Sequence, residues 1–445
     1  MVNSSNSTPC PPTPSWGRYP VSTPNTVVSR QHRNQRFQLP DGGESLLPRG
    51  NGRSYGDSCL NNGGQIVQCR GMDHFIAFDD KTGVLRCEAG VLLSEILKLV
   101  VSRGWFLPVT PGTKFVTVGG AIANDVHGKN HHIEGTFGRH LRCFELLRSD
   151  GARLYCSAEQ NEGLFAATIG GLGLTGIVTW AEIQLKPVTS AYLDQETIKF
   201  GHLSEFFRLS AESEQSHEYT VSWVDCTAKG SQLGRGLFSR ANHAQTKQHD
   251  DISERTGGLS FPLELPLSLI NQLSVKAFNT LYYHKQRSEK VESRDFYDPF
   301  FYPLDAIQNW NRMYGRKGFL QYQCVVDMAD AEAAVAEMLA RIAAAGSGSF
   351  LAVLKIFGDV PSPGMLSFPR PGATLALDFP FSGDKTFALL NSLDEVVQQA
   401  GGAIYPAKDA RMSGDGFKQY YPRWQEFNEL VDPAISSSFW RRVMD

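Results

Sequence analysis

The eight cysteines of this chain are scattered, and no two stand in a CxxC pair. That removes the usual sequence signature of a zinc ribbon or a thioredoxin-like redox site. They sit in apolar runs, as buried free thiols do in a reducing compartment. The formal net charge is −3, with no long basic run, so the electrostatic footprint of a nucleic-acid binder is missing. No uninterrupted apolar run approaches the ~18 residues of a membrane-spanning helix. The opening MVNSSNSTPCPPTPSWGRYP has neither the basic start nor the apolar centre of a secretory signal. Being polar and proline-rich, it reads as a disordered leader over residues 1–18. The expectation is a chain with no signal peptide or transmembrane segment, cytoplasmic, with a peripheral contact at the inner face of the membrane left open.

What is present is a composition of ordinary soluble kind, 41% hydrophobic and 20% charged over 445 residues, enough for two or three domains. From Gln65 the pattern is β: QIVQC, then FIAFDD and VLRCEAG joined by a turn at Lys81-Thr82-Gly83. LLSEILKLVVSRG carries apolar residues at helical spacing and stops at Gly104. The stretch from Trp105 to Gly138 is glycine-rich and reads as a long irregular, ordered loop. CFELLRSDGARLYCS is a second hairpin, around Asp150-Gly151. IGGLGLTGIVTW then contains a perfect GxGxxG at Gly171, Gly173 and Gly176. A dinucleotide fingerprint requires a helix opening on the last glycine. The residues that follow, IVTWAEIQLKPV, alternate and are β-branched, which predicts a strand. The Rossmann reading is therefore rejected, and the glycines are kept as a place of close backbone approach.

The second half changes rhythm. FLQYQCVVD, an alanine-rich helix, SFLAVLKIFG, ATLALDFPF, the helix KTFALLNSLDEVVQQAG and GAIYPA give the order β-α-β-β-α-β, the split βαβ pattern of a ferredoxin-like antiparallel sheet. The expected fold class is α+β. A first domain covers 19–188, a second 189–401, and 402–445 returns to the first, being too short to fold alone.

Two loops could carry chemistry. In LPRGNGRSYGDSCLNNGG, glycines 50, 52 and 56 stand among Arg49, Arg53, Ser54 and Tyr55. Such a loop either forms an anion nest of backbone N–H groups or is a plain surface loop. PGTKFVTVGGAIANDVHGKNHH has two glycine pairs and three histidines, His127, His131 and His132. A metal is disfavoured, because glycine interrupts the segment and HExxH is absent. His127 and Lys129 facing a substrate phosphate, or satisfied loop histidines, are the readings left open.

Three glycine-rich loops between β-hairpins, followed by an α+β domain, resemble the vanillyl-alcohol oxidase and p-cresol methylhydroxylase type of FAD enzyme. Within it, RGNGRSYGD, PVTPGTKFVTVGGAIANDVHGKNHH, GLGLTGI, WNRMYGRKGFLQYQ, KIFG, DFP and YPAKD are similar to the decaprenylphosphoryl-β-D-ribose oxidase family, from about Pro48 to Val431. The resemblance implies an FAD site. Its first loop is Pro48, Arg49, Gly50, Asn51, Gly52, Arg53, Ser54, Tyr55, Gly56, Asp57 and Ser58. Its second is Gly112, Thr117, Val118, Gly119 and Gly120. Asn124, Asp125, Val126 and His127 would line the flavin, Ile177 would meet the adenosine side, and Tyr405 the ring. Relatives that attach FAD covalently do so through a histidine in the first loop. None is there, so non-covalent FAD is expected.

The family oxidises the second-carbon hydroxyl of ribose on a polyprenyl phosphate, by hydride transfer to flavin N5. A separate keto-reductase then completes epimerisation to arabinose. The implied catalytic residues are Lys408, Tyr55 and His127, and the implied substrate contacts are Lys129, Gln321, Gln323, Lys355, Thr374 and Lys408. From the residues alone, the favoured reading of Lys408 is a surface lysine paired with Asp409, since such exposed pairs are common and weak. Gln321 and Gln323 share a strand face, and a strand lysine such as Lys355 is costly to bury without a partner. Two positions depart from the family: Thr374 replaces asparagine and Ala376 replaces the cysteine of mycobacterial relatives. The apolar stretch Leu259 to Lys285 reads as a lipid-admitting cover or as a core helix. Quinone or oxygen would accept the electrons. An alditol or aldonolactone oxidase, and a silent flavin-binding scaffold, are the rival readings.

Overall fold

The computed structural model of the chain describes residues 12–36, 39–40, 43–246, 259–261 and 268–445. Residues 1–11 of the expected leader, and 262–267 of the apolar stretch, lie outside the described residues. Residues 12–18 correct the leader expectation, because they are packed. Trp16 stands edge-on to Trp310 with ring centroids 5.7 Å apart, and its backbone N–H donates to Ser54 O at 2.9 Å. One indole supplies enough apolar area to override the polar composition around it.

Gln65–Gln68 lies between Thr26–Ser29 and Leu46–Arg49 in a small parallel sheet. A five-stranded antiparallel sheet follows, in the order Phe75–Asp79, Val84–Glu88, Ile177–Gln184, Leu141–Leu147, Arg153–Ser157. Both expected hairpins are present in it. Its central strand, Ile177–Gln184, buries every second residue, as its sequence alternation requires. That strand follows directly on Gly176, so no helix opens on the GxGxxG run. Gly176 has φ +150°, and a Cβ there would come within 2.8 Å of Leu146. The run serves close packing. The Trp105-to-Gly138 stretch is less irregular than expected. Thr117 caps a short helix, Val118–Ala123, its Oγ1 accepting from the Gly120 N–H at 3.1 Å, and His131–Glu134 forms another turn. The small side chains that resemble loop composition are what let this turn lie against Ala89, 3.2 Å from a Cβ placed on Gly119.

The second half forms one eight-stranded sheet in which all neighbours are antiparallel. Its order is Lys290–Phe296, Tyr192–Phe200, Gly236–His243, Tyr219–Val224, Val353–Phe357, Gly372–Pro380, Phe319–Val326, Ala403–Ile404. Helices Ala331–Ala344 and Asp384–Gln399 cover one face with Val335, Met338, Leu339 and Leu393, burying Tyr322, Cys324, Leu354, Leu375 and Leu377. Alternation leaves residues 321, 323, 355, 374 and 376 on the opposite face. The chain's end lies against its beginning: Leu46 N–H donates to Ala434 O at 2.9 Å, and Ser436 N–H to Leu46 O at 3.0 Å. The seven cysteines among the described residues are free, six of them buried.

Candidate active site

The free face of the eight-stranded sheet and the glycine loops enclose a cavity of about 920 Å³, at the upper end of the roughly 300–1,000 Å³ usual for ligand sites. Its walls include residues 48–55, Ser58, Gly112, Thr117, Gly119, Gly120, Asn124, Val126, His127, Lys129, Ile177, Gln321, Gln323, Lys355, Thr374, Tyr405 and Lys408. The sequence reading is thereby brought together from both halves of the chain, with four corrections. Gly56, Asp57, Val118 and Asp125 do not line the cavity.

Each of the four supports the wall from behind. Val118 is core. A Cβ on Gly56 would lie 1.5 Å from Asp409 O, so that position is glycine in order to press the first loop onto the Lys408 turn. Asp57 receives two hydrogen bonds from Arg442, at 2.7 and 2.9 Å. Arg442 also bonds Asp409 Oδ2 at 2.9 Å. Asp409 is therefore not the partner of Lys408, and the surface-pair reading of that lysine falls. Asp125, fully buried, accepts from the Ser362 and Ser367 hydroxyls at 2.5 Å and from Gly138 N–H at 2.9 Å. It pins Asn124 and Val126 to a loop of the second half.

The glycine loops fit a dinucleotide. Among the described residues, the N–H groups of residues 51–54 have no protein acceptor. Arg49 Nε, Ser58 Oγ and Asn124 Oδ1 are buried without a partner, and all three residues line the cavity. Such groups are costly unless a ligand completes them. The second loop contributes differently from expectation. Val118 N–H goes to Val91 O and Gly119 N–H to Ala89 O, so it offers a close, flat backbone surface rather than free donors. Arg53 lies over Trp16 at 4.0 Å, and Asn51 Nδ2 donates to Phe115 O at 2.6 Å. Tyr405 stacks on Phe368, centroids 4.5 Å apart, while its hydroxyl donates to Asn124 O at 2.7 Å.

The polar end of the cavity is built on sheet register. Gln321 stands directly across from Asp378, Gln323 from Ala376, and Lys355 from Thr374. Gln321 Nε2 donates to Asp378 Oδ1 at 2.7 Å. Lys355 Nζ meets His127 Nδ1 and donates to Gly128 O, both at 2.9 Å, and Gln323 Nε2 meets the other ring nitrogen at 3.0 Å. Lys129 Nζ bonds Phe300 O and lies over that ring at 4.3 Å. Lys408 Nζ sits 3.9 Å above the Tyr55 ring. Thr374, almost fully buried, receives Gln323 Nε2 at 3.3 Å, so its hydroxyl acts on the glutamine.

Enclosure sets the protonation states. Burial holds Lys129 at about 7, Lys355 at about 7 with Lys129 adding repulsion, and Lys408 at about 8, where Asp378 opposes the fall. Burial pushes Asp378 up to about 7 and Tyr55 well above the ordinary phenol value. His127 is driven well below 6.5 by burial and then by Lys355, so it is neutral, with one ring nitrogen donating and the other accepting. His131 packs on Phe357 and His132 bonds His217 O. Among the described residues no group of three metal-binding side chains comes together. The composition-based reading missed Trp16, Asp378 and the aromatic collar of Trp223, Phe278, Tyr282 and Phe350. The sequence signals were the lone indole in a polar leader and the apolar stretch Leu259 to Lys285, which holds Phe278 and Tyr282.

The loops and cavity define an FAD-binding domain of the p-cresol methylhydroxylase type in an FAD-dependent oxidoreductase that acts on a CH–OH group. The family model described as FAD binding domain matches residues 40–157. The chain is 36% identical to decaprenylphosphoryl-beta-D-ribose oxidase of Mycolicibacterium smegmatis, over 96% of each protein, and it belongs to that oxidase's family. It is also 34% identical to an uncharacterized protein in the mprA 5' region of Streptomyces coelicolor, over 79% of this chain and 100% of that one. Delta(24)-sterol reductase of Homo sapiens is 33% identical over 109 residues, 24% of this chain and 21% of its own.

Proposed function

We propose that this chain oxidises the second-carbon hydroxyl of a polyprenylphosphoryl ribose to the 2-keto sugar, the first half of an epimerisation to arabinose. The observation that carries the reading is the union, in one cavity, of partnerless polar groups at the glycine loops with three enclosed lysines at the sheet. FAD, when bound, supplies the two-electron acceptor. Residues 49–54, Ser58 and Asn124 would hold it, without a covalent bond, since the first loop offers Arg53, Ser54 and Tyr55 and no histidine. Lys408, poised near 8, takes the carbinol proton, because a general base works best with its pKa near the working pH. Tyr55 stays protonated and holds the ammonium that forms on proton transfer over its ring. Lys129 and Lys355 gain full charge when a phosphate enters between them. Gln321 and Gln323 hydrogen-bond the sugar, Thr374 orients Gln323, and His127 keeps Lys355 in place.

We read residues 19–188 as the FAD-binding domain and 189–401 as the substrate domain, whose Phe319-to-Ile404 part is a ferredoxin-like unit. Residues 402–445 lock the two together. A keto-reductase consumes the product, and a quinone or oxygen takes the electrons. The location is cytoplasmic or at the inner membrane face. Among the described residues no helix is long and apolar enough to cross a membrane.

Anaerobic titration of the yellow protein tests this. A short-chain polyprenylphosphoryl ribose should bleach it and free alditols should not. Lys408→Met should keep the colour and lose at least about 100-fold in bleaching rate, the usual lower bound for removing a general base. Bleaching by alditols alone overturns the reading.

A further inference from the structure

The helix Gln272–Lys285 carries an apolar face that nothing among the described residues covers. Leu273 is 80% exposed, Leu281 72%, and Leu269, just before the helix, 51%. Large apolar side chains exposed side by side in a monomer mark an interaction surface. Leu273, Ala277 and Leu281 follow at i, i+4, i+8 and form one stripe. The helix contains no acidic residue. Lys276 and Lys285 flank the stripe, and Arg287 follows it, all exposed.

The stripe continues into the cavity. Phe278 and Tyr282, on the neighbouring side of the same helix, stack on each other at 5.6 Å, and both line the cavity. Phe278 meets Phe350 at 4.9 Å and Tyr282 meets Trp223 at 4.7 Å. An apolar collar thus links the interior to the exposed leucines. A basic rim around an apolar stripe complements an anionic bilayer surface, whereas pairing with a second copy would set the same positive rims against each other.

We propose that the outward face of the Gln272–Lys285 helix is a docking surface for an anionic lipid bilayer, which turns the cavity mouth to the membrane. A prenyl tail then passes from bilayer to collar without crossing water. The tail's part in this rests on the proposed substrate, but the docking does not.

Co-sedimentation of the full-length holoprotein with phosphatidylcholine vesicles, with and without 30 mol% phosphatidylglycerol, tests it. The wild type should bind the anionic vesicles and lose most binding in 0.5 M NaCl. Leu273→Ser/Leu281→Ser should bind at least tenfold more weakly, and Leu273→Phe/Leu281→Phe should bind as the wild type does. The serine variant should keep its flavin, its melting temperature and its turnover of a water-soluble short-chain substrate. It should lose turnover of a long-chain substrate embedded in vesicles. Equal vesicle binding by wild type and serine variant overturns the proposal. So does a wild type that ignores vesicles, including one that forms a dimer the serine variant dissolves. If no prenylphosphoryl ribose is turned over yet vesicle binding follows the leucines, the docking surface stands and the substrate reading fails.

Discussion

Replacing Arg442 by methionine should destabilise a site it does not touch. Its guanidinium is held by Asp57 of the first loop and Asp409 beside Lys408, carboxylates whose side chains are 5% and 3% exposed. Methionine fills similar space but leaves both carboxylates buried without the shared cation. Breaking a buried pair this way costs about 3–5 kcal/mol. Arg442 is itself 26% exposed, so about 3 kcal/mol, the lower figure, applies. At about 2.1 cal/mol/K of unfolding entropy per residue, a 445-residue chain shifts by about 1 °C per kcal/mol, giving a Tm loss of about 3 °C. Burial already raises the Asp57 pKa, with Arg442 opposing it. Without Arg442 the folded-state value of Asp57 rises further above its unfolded one. The folded variant then binds protons that the unfolded chain releases, so lowering the pH from 8 to 5 should narrow its deficit. Calorimetry of wild type and variant across that range, with flavin fluorescence as a second reading, measures both. A shift below 1 °C at pH 7.5, or a deficit that does not narrow in acid, refutes the reasoning.

Binding of a short-chain prenylphosphoryl ribose should weaken as the pH rises from 6 to 9, because Lys129 and Lys355 lose charge from about 7 upward. Lys355→Met should flatten that dependence and cost at least about 30-fold, as loss of one partner of a buried charge pair does, and isothermal titration calorimetry measures it. Asp378→Asn should match the wild type below pH 6, where the carboxyl, with a pKa of about 7, is already neutral. Above that the lost charge lets the Lys408 pKa fall, so the rising limb of kcat/KM should move to lower pH; an unmoved limb rejects the link. Gly56→Ala should give no soluble yellow protein, since its Cβ would lie 1.5 Å from Asp409 O; expression and absorbance at 450 nm check it.

Much of the fold was legible because strands, helices and turns declare themselves over a few residues. The alternation of Ile177–Gln184 was enough to predict a strand after GLGLTG and dismiss a dinucleotide helix. The same period put Gln321 and Gln323 on one face. Composition misled where small residues stood in a packed turn, at Val118–Ala123, and where one tryptophan outweighed a polar leader, at Trp16. The family resemblance supplied the residue types of the site, though not their company.

The sequence by itself determined the local elements and the chemical groups available, since periodicity, glycine freedom and side-chain chemistry are properties of neighbours along the chain. Only the tertiary structure decided which charge meets which. Arg442 reaches back to Asp57 and takes Asp409 away from Lys408, and His127 finds Lys355 across 228 positions. The depressed lysines follow from enclosure by both halves at once. Electrostatic partners and burial are set by distances in space, and no window of sequence contains those distances.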